Sequence, residues 1–230
     1  MPGTGLALWN AAVAGRTEEV RRLLADGANM QESFQNGCSA LHSACVHGHG
    51  AVVKLLLDNG AEVNAETNFH HTPLYAATLH GREEIVQLLL AKDADLNAST
   101  QYGHTPLHAA SLHNHPSIVR LLLDKDADVH ARTVTMETPL HAAALHGRVR
   151  VVQMLLSKGA DLDARNIPGH TALQMAVLHG HVVIEALLRA EATRRGKCEA
   201  FAMGQNARLG TMSMVLALDP GVVRMIFLQV

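Results

Sequence analysis

A leucine recurs every 33 residues along this chain, and that regular spacing restricts the possible folds more than any other feature of the sequence. The leucines in question are Leu8, Leu41, Leu74, Leu107, Leu140 and Leu173. Seven residues after each leucine stands a glycine, or in one case an asparagine: Gly15, Gly48, Gly81, Asn114, Gly147 and Gly180. A constant period of this length indicates one supersecondary unit copied in tandem. We therefore expect a stack of similar units.

Every unit has the same internal order, which the fourth one illustrates. A turn segment, "TQYGHTP", precedes a short alanine-rich helix, "LHAASLHN", a second helix, "PSIVRLLLDK", and a closing "DADVHA". The hydroxyl of Thr105 can cap the first helix, and Pro106 suits its first turn because no hydrogen bond is lost there. Ile118, Leu121 and Leu122 give the second helix one apolar face. Because only a neighbouring unit can bury that face, the sequence predicts an all-α solenoid of helix pairs.

The segments "TPLHAASLHN", "TPLHAAALHG", "TPLYAATLHG" and "VVQMLLSKGADLDA" resemble the ankyrin repeat. The resemblance covers roughly residues 5–193. It implies a stack of helix pairs with short β-hairpin-like fingers, a concave surface that binds other proteins, and no catalytic activity. The expected organisation is an ankyrin-repeat array over residues 1–193, with about six repeats of which the first and sixth are atypical. A helical cap or docking segment is expected over residues 194–230.

Two fingers depart from this pattern at the turn of the hairpin. The turn glycine seen at Gly37, Gly103 and Gly169 is replaced by His70 and Met136. A left-handed backbone conformation is strained for side chains of this kind. The sequence therefore predicts that these two fingers differ in shape from the others.

The terminal repeats also depart from the pattern. The first lacks the Thr-Pro pair and has Trp9 where other repeats have histidine, which suits an N-terminal cap. The sixth is one residue short after Gly180, and one residue corresponds to about 100° of helix rotation. We expect its second helix to shift in register and to bury Ile184, Leu187 and Leu188.

Half of the 16 histidines fall into two columns. The resemblance implies that the histidine of the T-P-L-H motif is a partly buried structural residue, as at His42, His108 and His141. The other column comes just before the glycine or asparagine that ends the first helix: His47, His80, His113, His146 and His179. At a helix C-terminus the macrodipole favours the protonated ring. Within a repeat the columns lie about 140° and about 7.5 Å apart, so we expect no metal site and no cofactor.

Each histidine of the second column follows an aliphatic residue: Val46, Leu79, Leu112, Leu145 and Leu178. The resemblance places these residues on the concave side, where solvent-exposed positions vary with the partner. They are interpreted either as an apolar stripe for a partner helix or extended peptide, or as packing residues copied by duplication. The finger tips are also predicted to bind the partner, with ordinary sequence variability of turns as the other interpretation. The candidate residues there are Phe69, His71, Tyr102, His104, Met136 and Ile167.

Composition and the lack of certain sequence motifs argue against several other functions. Lys and Arg total 19 against 21 Asp and Glu, so nothing points to nucleic acid as a partner. No apolar stretch reaches the roughly 18 residues that membrane insertion needs. No G-x-S-x-G, Walker A or H-E-x-x-H motif is present, so an enzyme is not expected. Three cysteines without C-x-x-C spacing favour a reduced compartment, and we expect a cytoplasmic or nuclear protein.

The tail after the repeats has two possible roles. "TRRGK" reads as a short basic hinge, and "LDPGVVRMIF" resembles the opening of an F-box with its proline displaced by one residue. A docking box in residues 210–230 would make the protein a substrate-recognition adaptor that recruits ubiquitin-ligase components, as in ankyrin proteins that carry a SOCS box. The other interpretation is a C-terminal cap, because a solenoid must cover its last apolar face.

Overall fold

A computed structural model describes residues 4–196 of the chain, and most of this part is helical. The helices form six pairs. The first helix of each pair is Thr4–Val13 (α1), Ala40–His47 (α3), Pro73–Leu79 (α5), Pro106–Leu112 (α7), Pro139–Leu145 (α9) or Ala172–Leu178 (α11). The second is Thr17–Ala25 (α2), Gly50–Asp58 (α4), Glu83–Leu90 (α6), Pro116–Asp124 (α8), Val149–Ser157 (α10) or Val182–Arg194 (α12).

The pairs stack in chain order, and the predicted all-α solenoid is confirmed. Each first helix packs against its own second helix and against the first helices of the neighbouring pairs. One continuous apolar cluster runs through the stack. In the fourth repeat it includes Leu107 and Ala110 from α7 and Ile118 and Leu122 from α8, all almost completely buried. The core therefore lies between repeats, and no repeat has a core of its own.

The ends of the first helices follow the sequence signals. The Thr105 side chain caps α7 by accepting a hydrogen bond from the His108 amide, and Pro106 occupies the first turn. Asn114, just beyond the helix, has a φ of 59°. The glycines at the same place are also left-handed, for example Gly81 at 67°. Asparagine and glycine tolerate this conformation best, which explains why only these two residue types occur there.

The fingers connect successive helix pairs. The four later fingers share one turn conformation, whereas the first also has positive φ values at Gln35 and Asn36. In the first finger, two short strands, Ser33–Phe34 (β1) and Cys38–Ser39 (β2), pair antiparallel. His70 and Met136 have φ values of 58° and 63°, close to that of glycine in the other turns. The Met136 amide donates to the Thr133 carbonyl at 2.8 Å, and the Gly103 amide donates to the Thr100 carbonyl at the same distance. The prediction that these two fingers differ in shape is therefore wrong.

Backbone hydrogen bonds between fingers explain this shared turn conformation. The amide of one finger donates to a carbonyl of the preceding finger about one repeat earlier. These pairs are Asn68 to Asn36, Gln101 to Phe69, Val134 to Tyr102 and Ile167 to Thr135, with distances of 2.8–3.1 Å. Each finger is thus held by its neighbours, and their hydrogen bonds offset the local cost of a left-handed histidine or methionine.

The sixth repeat keeps its register. Ile184 and Leu188 are buried at the same distances from the preceding glycine as Val151 and Leu155 in the fifth repeat, and Leu187 is buried beside them. The predicted buried face is confirmed, but the predicted shift in register is wrong. The helix α12 has 13 residues where α10 has 9, so the chain continues as helix at the place where other repeats turn.

Charged residues lie on the side of α12 that would face a following repeat. Glu185 and Arg189 stand where the fifth repeat has the buried residues Val152 and Leu156, and they form an ion pair at 2.7 Å. No helix among the described residues lies beyond α12, so this pair stays partly in contact with solvent. The substitution of charge for Val and Leu is what the end of a solenoid requires.

The predicted basic hinge is also wrong as far as the described residues reach. Arg195 follows α12 directly, and its guanidinium donates to the carbonyls of Ala160 and Leu156, both at 2.8 Å. The same side chain pairs with Glu191 at 2.6 Å. The chain is therefore fastened to the fifth repeat at this point. Residues 197–230, which include the predicted cap or docking box, lie outside the described residues.

We predict that Asp126→Gly raises the free energy of unfolding by about 0.5 to 1 kcal/mol, since Asp126 has a φ of 61°. Its counterpart in the next repeat, Gly159, has a φ of 84° and nothing within 4 Å of where a Cβ would lie. Gly159→Asp should therefore lower the free energy of unfolding by a similar amount. Urea unfolding followed by circular dichroism measures both changes. Equal signs for the two variants would show that the conformation imposes no cost at this position.

Candidate functional site

The T-P-L-H histidines are structural, as the sequence predicts. His108 is 1% exposed. Its Nδ1 accepts a hydrogen bond from the Thr105 amide at 3.2 Å, and its Nε2 donates to the Glu137 carbonyl in the next finger at 3.1 Å. The equivalent bonds to the next finger are those of His42 to His71 and of His141 to His170. These rings connect repeats, and their nitrogens are already occupied.

Burial controls the charge of these histidines. It lowers the pKa of His108 to about 4, although the hydrogen bond to the Glu137 carbonyl favours the protonated ring. Burial also lowers the pKa of His42 and His141. The rings are therefore neutral near pH 7, with the proton on Nε2 because that atom faces a carbonyl. In the sixth repeat Gln174 takes over the bond to the threonine amide at 2.9 Å.

The second histidine column lies in the open, next to the predicted aliphatic residues. The rings of the column are exposed: His47, His80, His113, His146 and His179. The residue before each ring is half-buried in four repeats, namely Val46, Leu79, Leu112 and Leu145. Leu178 is 64% exposed. The structure thus brings the predicted residues into one ladder of exposed rings beside partly exposed aliphatic side chains.

A further set of residues, which the sequence analysis missed, fastens this ladder from one repeat to the next. The residue after each helix-ending glycine or asparagine donates a side-chain hydrogen bond to a carbonyl 36 residues earlier. The bonds run from His49 to Val13, Arg82 to Val46, His115 to Leu79, Arg148 to Leu112 and His181 to Leu145, at 2.9–3.4 Å. The signal in the sequence was the alternation of His and Arg at this one position.

These side chains supply donors where a helix lacks them. The last carbonyls of a helix have no partner within it, and a side chain from the next repeat satisfies one of them here. The His115 ring also lies over Gly81, so that a Cβ at that glycine would come within 2.6 Å of the ring. Where the donor is Arg148, the residue beneath it is Asn114. The glycine is therefore required for packing as well as for conformation wherever histidine is the donor.

Charge in the ladder differs from the expectation based on the helix dipole. Burial lowers the pKa of His80, and the nearby Arg82 and neighbouring histidines lower it further. Burial also lowers the pKa of His113 and of His146, and the nearby Arg148 lowers both further. At His80, His113 and His146 the net change in pKa is therefore opposite in direction to the modest effect expected from the helix dipole. Partial desolvation and the surrounding cations outweigh the dipole.

The finger tips carry exposed apolar side chains. Tyr102 is 59% and Ile167 is 68% exposed, and Phe69 and Met136 are exposed as well. Val134, 59% exposed, belongs to the same row and was missed. The sequence signal for it was an apolar residue at a place where two earlier fingers have Asn and Gln. All five side chains lie on fingers joined by backbone hydrogen bonds.

The two predicted tip histidines lie lower, at the base of the fingers. His71 packs against the Tyr75 ring with centroids 4.8 Å apart, and His104 meets His108 edge-on at 5.8 Å. Both are half-buried, and burial lowers the pKa of each. They support the finger more than they extend its tip.

Residues 4–196 offer neither a metal centre nor a membrane span. In that range no three His, Cys, Asp or Glu side chains come together in a group that could hold a metal ion. Cys45 is completely buried, and burial raises the pKa of its thiol. No helix in the same range is long and apolar enough to cross a membrane.

Comparison with known families agrees with this architecture. A family model described as ankyrin repeats in three copies matches residues 4–67 and 64–133, and one described as ankyrin repeats in many copies matches residues 140–188. These matches cover more than half of the chain, which therefore belongs to the ankyrin repeat family. Ankyrin repeats generally mediate protein–protein interaction and are typically not enzymes. The comparison with curated proteins gives no match.

The buried histidines predict a loss of stability in acid. In the unfolded chain His108 regains its ordinary pKa near 6.5, whereas in the folded chain its pKa is about 4. Between these values the unfolded state binds the extra proton, so the free energy of unfolding falls as pH falls from about 6.5 to about 4. His108→Gln, which introduces the side chain that the sixth repeat has at Gln174, should reduce this slope. Urea unfolding of both proteins at a series of pH values measures how the free energy of unfolding changes with pH. An unchanged pH dependence in the variant would contradict the assignment of this effect to His108.

The bonds between repeats predict a second effect on stability. His115→Ala should lower the free energy of unfolding by about 1 kcal/mol, because the Leu79 carbonyl loses its donor. His115→Arg should keep most of the free energy of unfolding of the unchanged protein, since Arg148 makes the same bond one repeat later. His113→Ala is the matched control, because it removes an exposed ring of the same repeat that does not serve as this donor. Equal losses for the two alanine variants in thermal unfolding would argue against the bond.

Proposed function

We propose that this chain is a non-catalytic binding module that holds a partner protein on its finger tips and its concave ladder. The observation that carries the proposal is the row of exposed apolar tips on four successive fingers: Phe69, Tyr102, Val134, Met136 and Ile167. Exposed apolar residues that recur side by side are typical of interaction surfaces. Aromatic side chains among them are frequent anchors of binding energy.

The rigidity of the tips supports this function. Each finger is tied to its neighbour through the backbone, and the buried histidines tie the finger bases to the helices of the preceding repeat. A surface that is already ordered loses little conformational entropy when a partner binds. The apolar side chains are thus presented at fixed spacing.

The concave ladder extends the same surface. Leu178 is exposed, and the aliphatic residues before the other histidines are partly accessible. Their carbonyls, except that of Leu178, are bonded to the next repeat, so the backbone here offers few free groups. Recognition would therefore rely on side chains, with apolar contacts from the leucines and polar contacts from the rings. We further propose that the protein acts in the cytoplasm or nucleus.

Capture of partners from cell extract by the full-length chain tests the proposal. A bait with Phe69→Ser, Tyr102→Ser and Ile167→Ser should lose the main partner, because it lacks three exposed tip side chains but no buried one. Since interface anchors typically contribute 1 kcal/mol or more each, we expect a loss of at least about tenfold in captured partner. Quantitative mass spectrometry provides the measurement.

The control changes exposed apolar residues away from the fingers. Val182 is 68% exposed, as Ile167 is, but lies at the start of α12. A bait with Leu6→Ser, Val182→Ser and Val183→Ser should retain the partner, and circular dichroism should show both baits folded. If both baits lose the partner equally, exposed apolar surface in general is responsible and the assignment to the fingers fails.

A further inference from the structure

Among residues 4–196, the face formed by the first helices and the linkers after them has no carboxylate. The 19 Asp and Glu residues of this range lie in second helices, fingers and closing turns. The same face carries two rows of basic residues. We call these rows the basic strip: His47, His49, His80, Arg82, His113, His115, His146, Arg148, His179 and His181.

The strip is continuous across the repeats. Rings two residues apart lie nearly parallel in three repeats, at 6.0 Å for His47 and His49 and at 6.3 and 6.4 Å for the equivalent pairs. Between these pairs stand Arg82 and Arg148. Each of these arginines is held in place by its bond to a carbonyl of the preceding repeat. Basic groups therefore follow one another from the second repeat to the sixth.

The charged groups that act on His80, His113 and His146 are basic. Glu83, at the start of α6, also lies near the strip, since it lines a small pocket together with Gly81 and His115. His80 lies within electrostatic reach of Arg82, His47, His113 and His115. His146 lies within reach of Arg148, His113, His179 and His181. Around His113 the corresponding groups are His115 and Arg148. Glu137, in a finger base, acts on His104 and His141 instead.

Aliphatic side chains accompany these basic groups. Leu79, Leu112 and Leu145 are half-buried beside the exposed rings, and Leu178 is exposed. A ligand that satisfied both features would carry acidic groups together with aliphatic ones. A nucleic acid fits less well, because the strip has no Phe, Tyr or Trp on which bases could stack and the chain has a net charge of -2.

We infer that the basic strip binds an acidic segment of a partner protein that also contains aliphatic residues, and that this binding takes up protons. The inference rests on the proposed function, since it names the chemistry of the partner at the concave ladder. Carboxylates placed over the strip favour the protonated imidazoles, whereas in the free protein burial and, to a smaller extent, the basic neighbours disfavour the protonated form of His80, His113 and His146. Affinity should therefore rise as pH falls from 7.5 to 6.0.

Fluorescence anisotropy with the full-length chain tests the inference. The probe is a labelled peptide that repeats the unit Glu-Leu-Glu-Glu, and the control peptide has Gln in place of every Glu. We expect the affinity for the acidic peptide to rise about tenfold between pH 7.5 and pH 6.0, which corresponds to the uptake of roughly one proton. The Gln peptide should bind weakly at both pH values. Binding of the acidic peptide that does not change with pH would overturn the inference.

Variants locate the effect on the strip. The triple variant His80→Gln, His113→Gln and His146→Gln should remove most of the pH dependence, and these exposed rings are not required for packing. The matched control is His70→Gln, His130→Gln and His170→Gln, which changes three histidines outside the strip. Circular dichroism at both pH values verifies folding. If the two triple variants behave alike, the strip is not the binding site.

Two further outcomes separate this inference from the proposed function. Tighter binding of single-stranded polyuridylate than of the acidic peptide would replace the acidic segment by a nucleic acid and would overturn the inference. If the finger-tip bait loses the cellular partner but the acidic peptide does not bind, the proposed function stands and only the inference fails. If the finger-tip bait keeps the cellular partner and the strip variant keeps the pH-dependent binding of the acidic peptide, both the proposed function and the inference fail.

Discussion

Burial of apolar surface between neighbouring helix pairs is the interaction on which the rest of this structure depends. A pair such as α7 and α8 has too few residues to enclose its own apolar side chains. Leu107 and Ile118 are fully buried in the stack. The requirement for a neighbour explains why the same core positions recur in each repeat. It also explains why α12, the last helix among residues 4–196, has the charged residues Glu185 and Arg189 where α10 has buried Val and Leu.

Apolar burial by itself does not fix how two repeats are placed relative to each other, because it has no direction. Hydrogen bonds between repeats supply that direction. One set runs from buried histidines such as His108 to the next finger, another runs back from residues such as His115 to the preceding first helix, and a third joins finger to finger. Each set satisfies buried or helix-terminal polar groups that would otherwise be costly. Together they turn a flexible series of helix pairs into a surface of fixed geometry.

The same bonds determine which residues are left for binding. The residues that make them, such as Arg148, are committed to the stack, whereas the neighbouring ring of His146 is exposed. The finger tips are similar, since the backbone is occupied and Tyr102 or Ile167 points into solvent. The backbone and the His or Arg side chain that bonds to the preceding repeat are needed for structure. The exposed histidine of each repeat and the tip side chains can therefore vary without loss of stability.

Periodicity in the sequence determined the helix pairs and their buried faces, because a period of 33 residues and an apolar face can be recognised without coordinates. It also identified the two histidine columns and the exposed tip residues other than Val134, but it placed His71 and His104 at the tips, whereas they lie at the base of the fingers. The tertiary structure decided what depends on contacts between repeats. Neighbouring fingers impose a left-handed turn on Met136, burial lowers the pKa of His80 with a smaller contribution from histidines of the adjacent repeats, and Arg195 fastens the end of α12 to the fifth repeat. Such effects join residues about 30 to 40 positions apart, as in the bond from Arg195 to Ala160, and local sequence patterns do not reveal them.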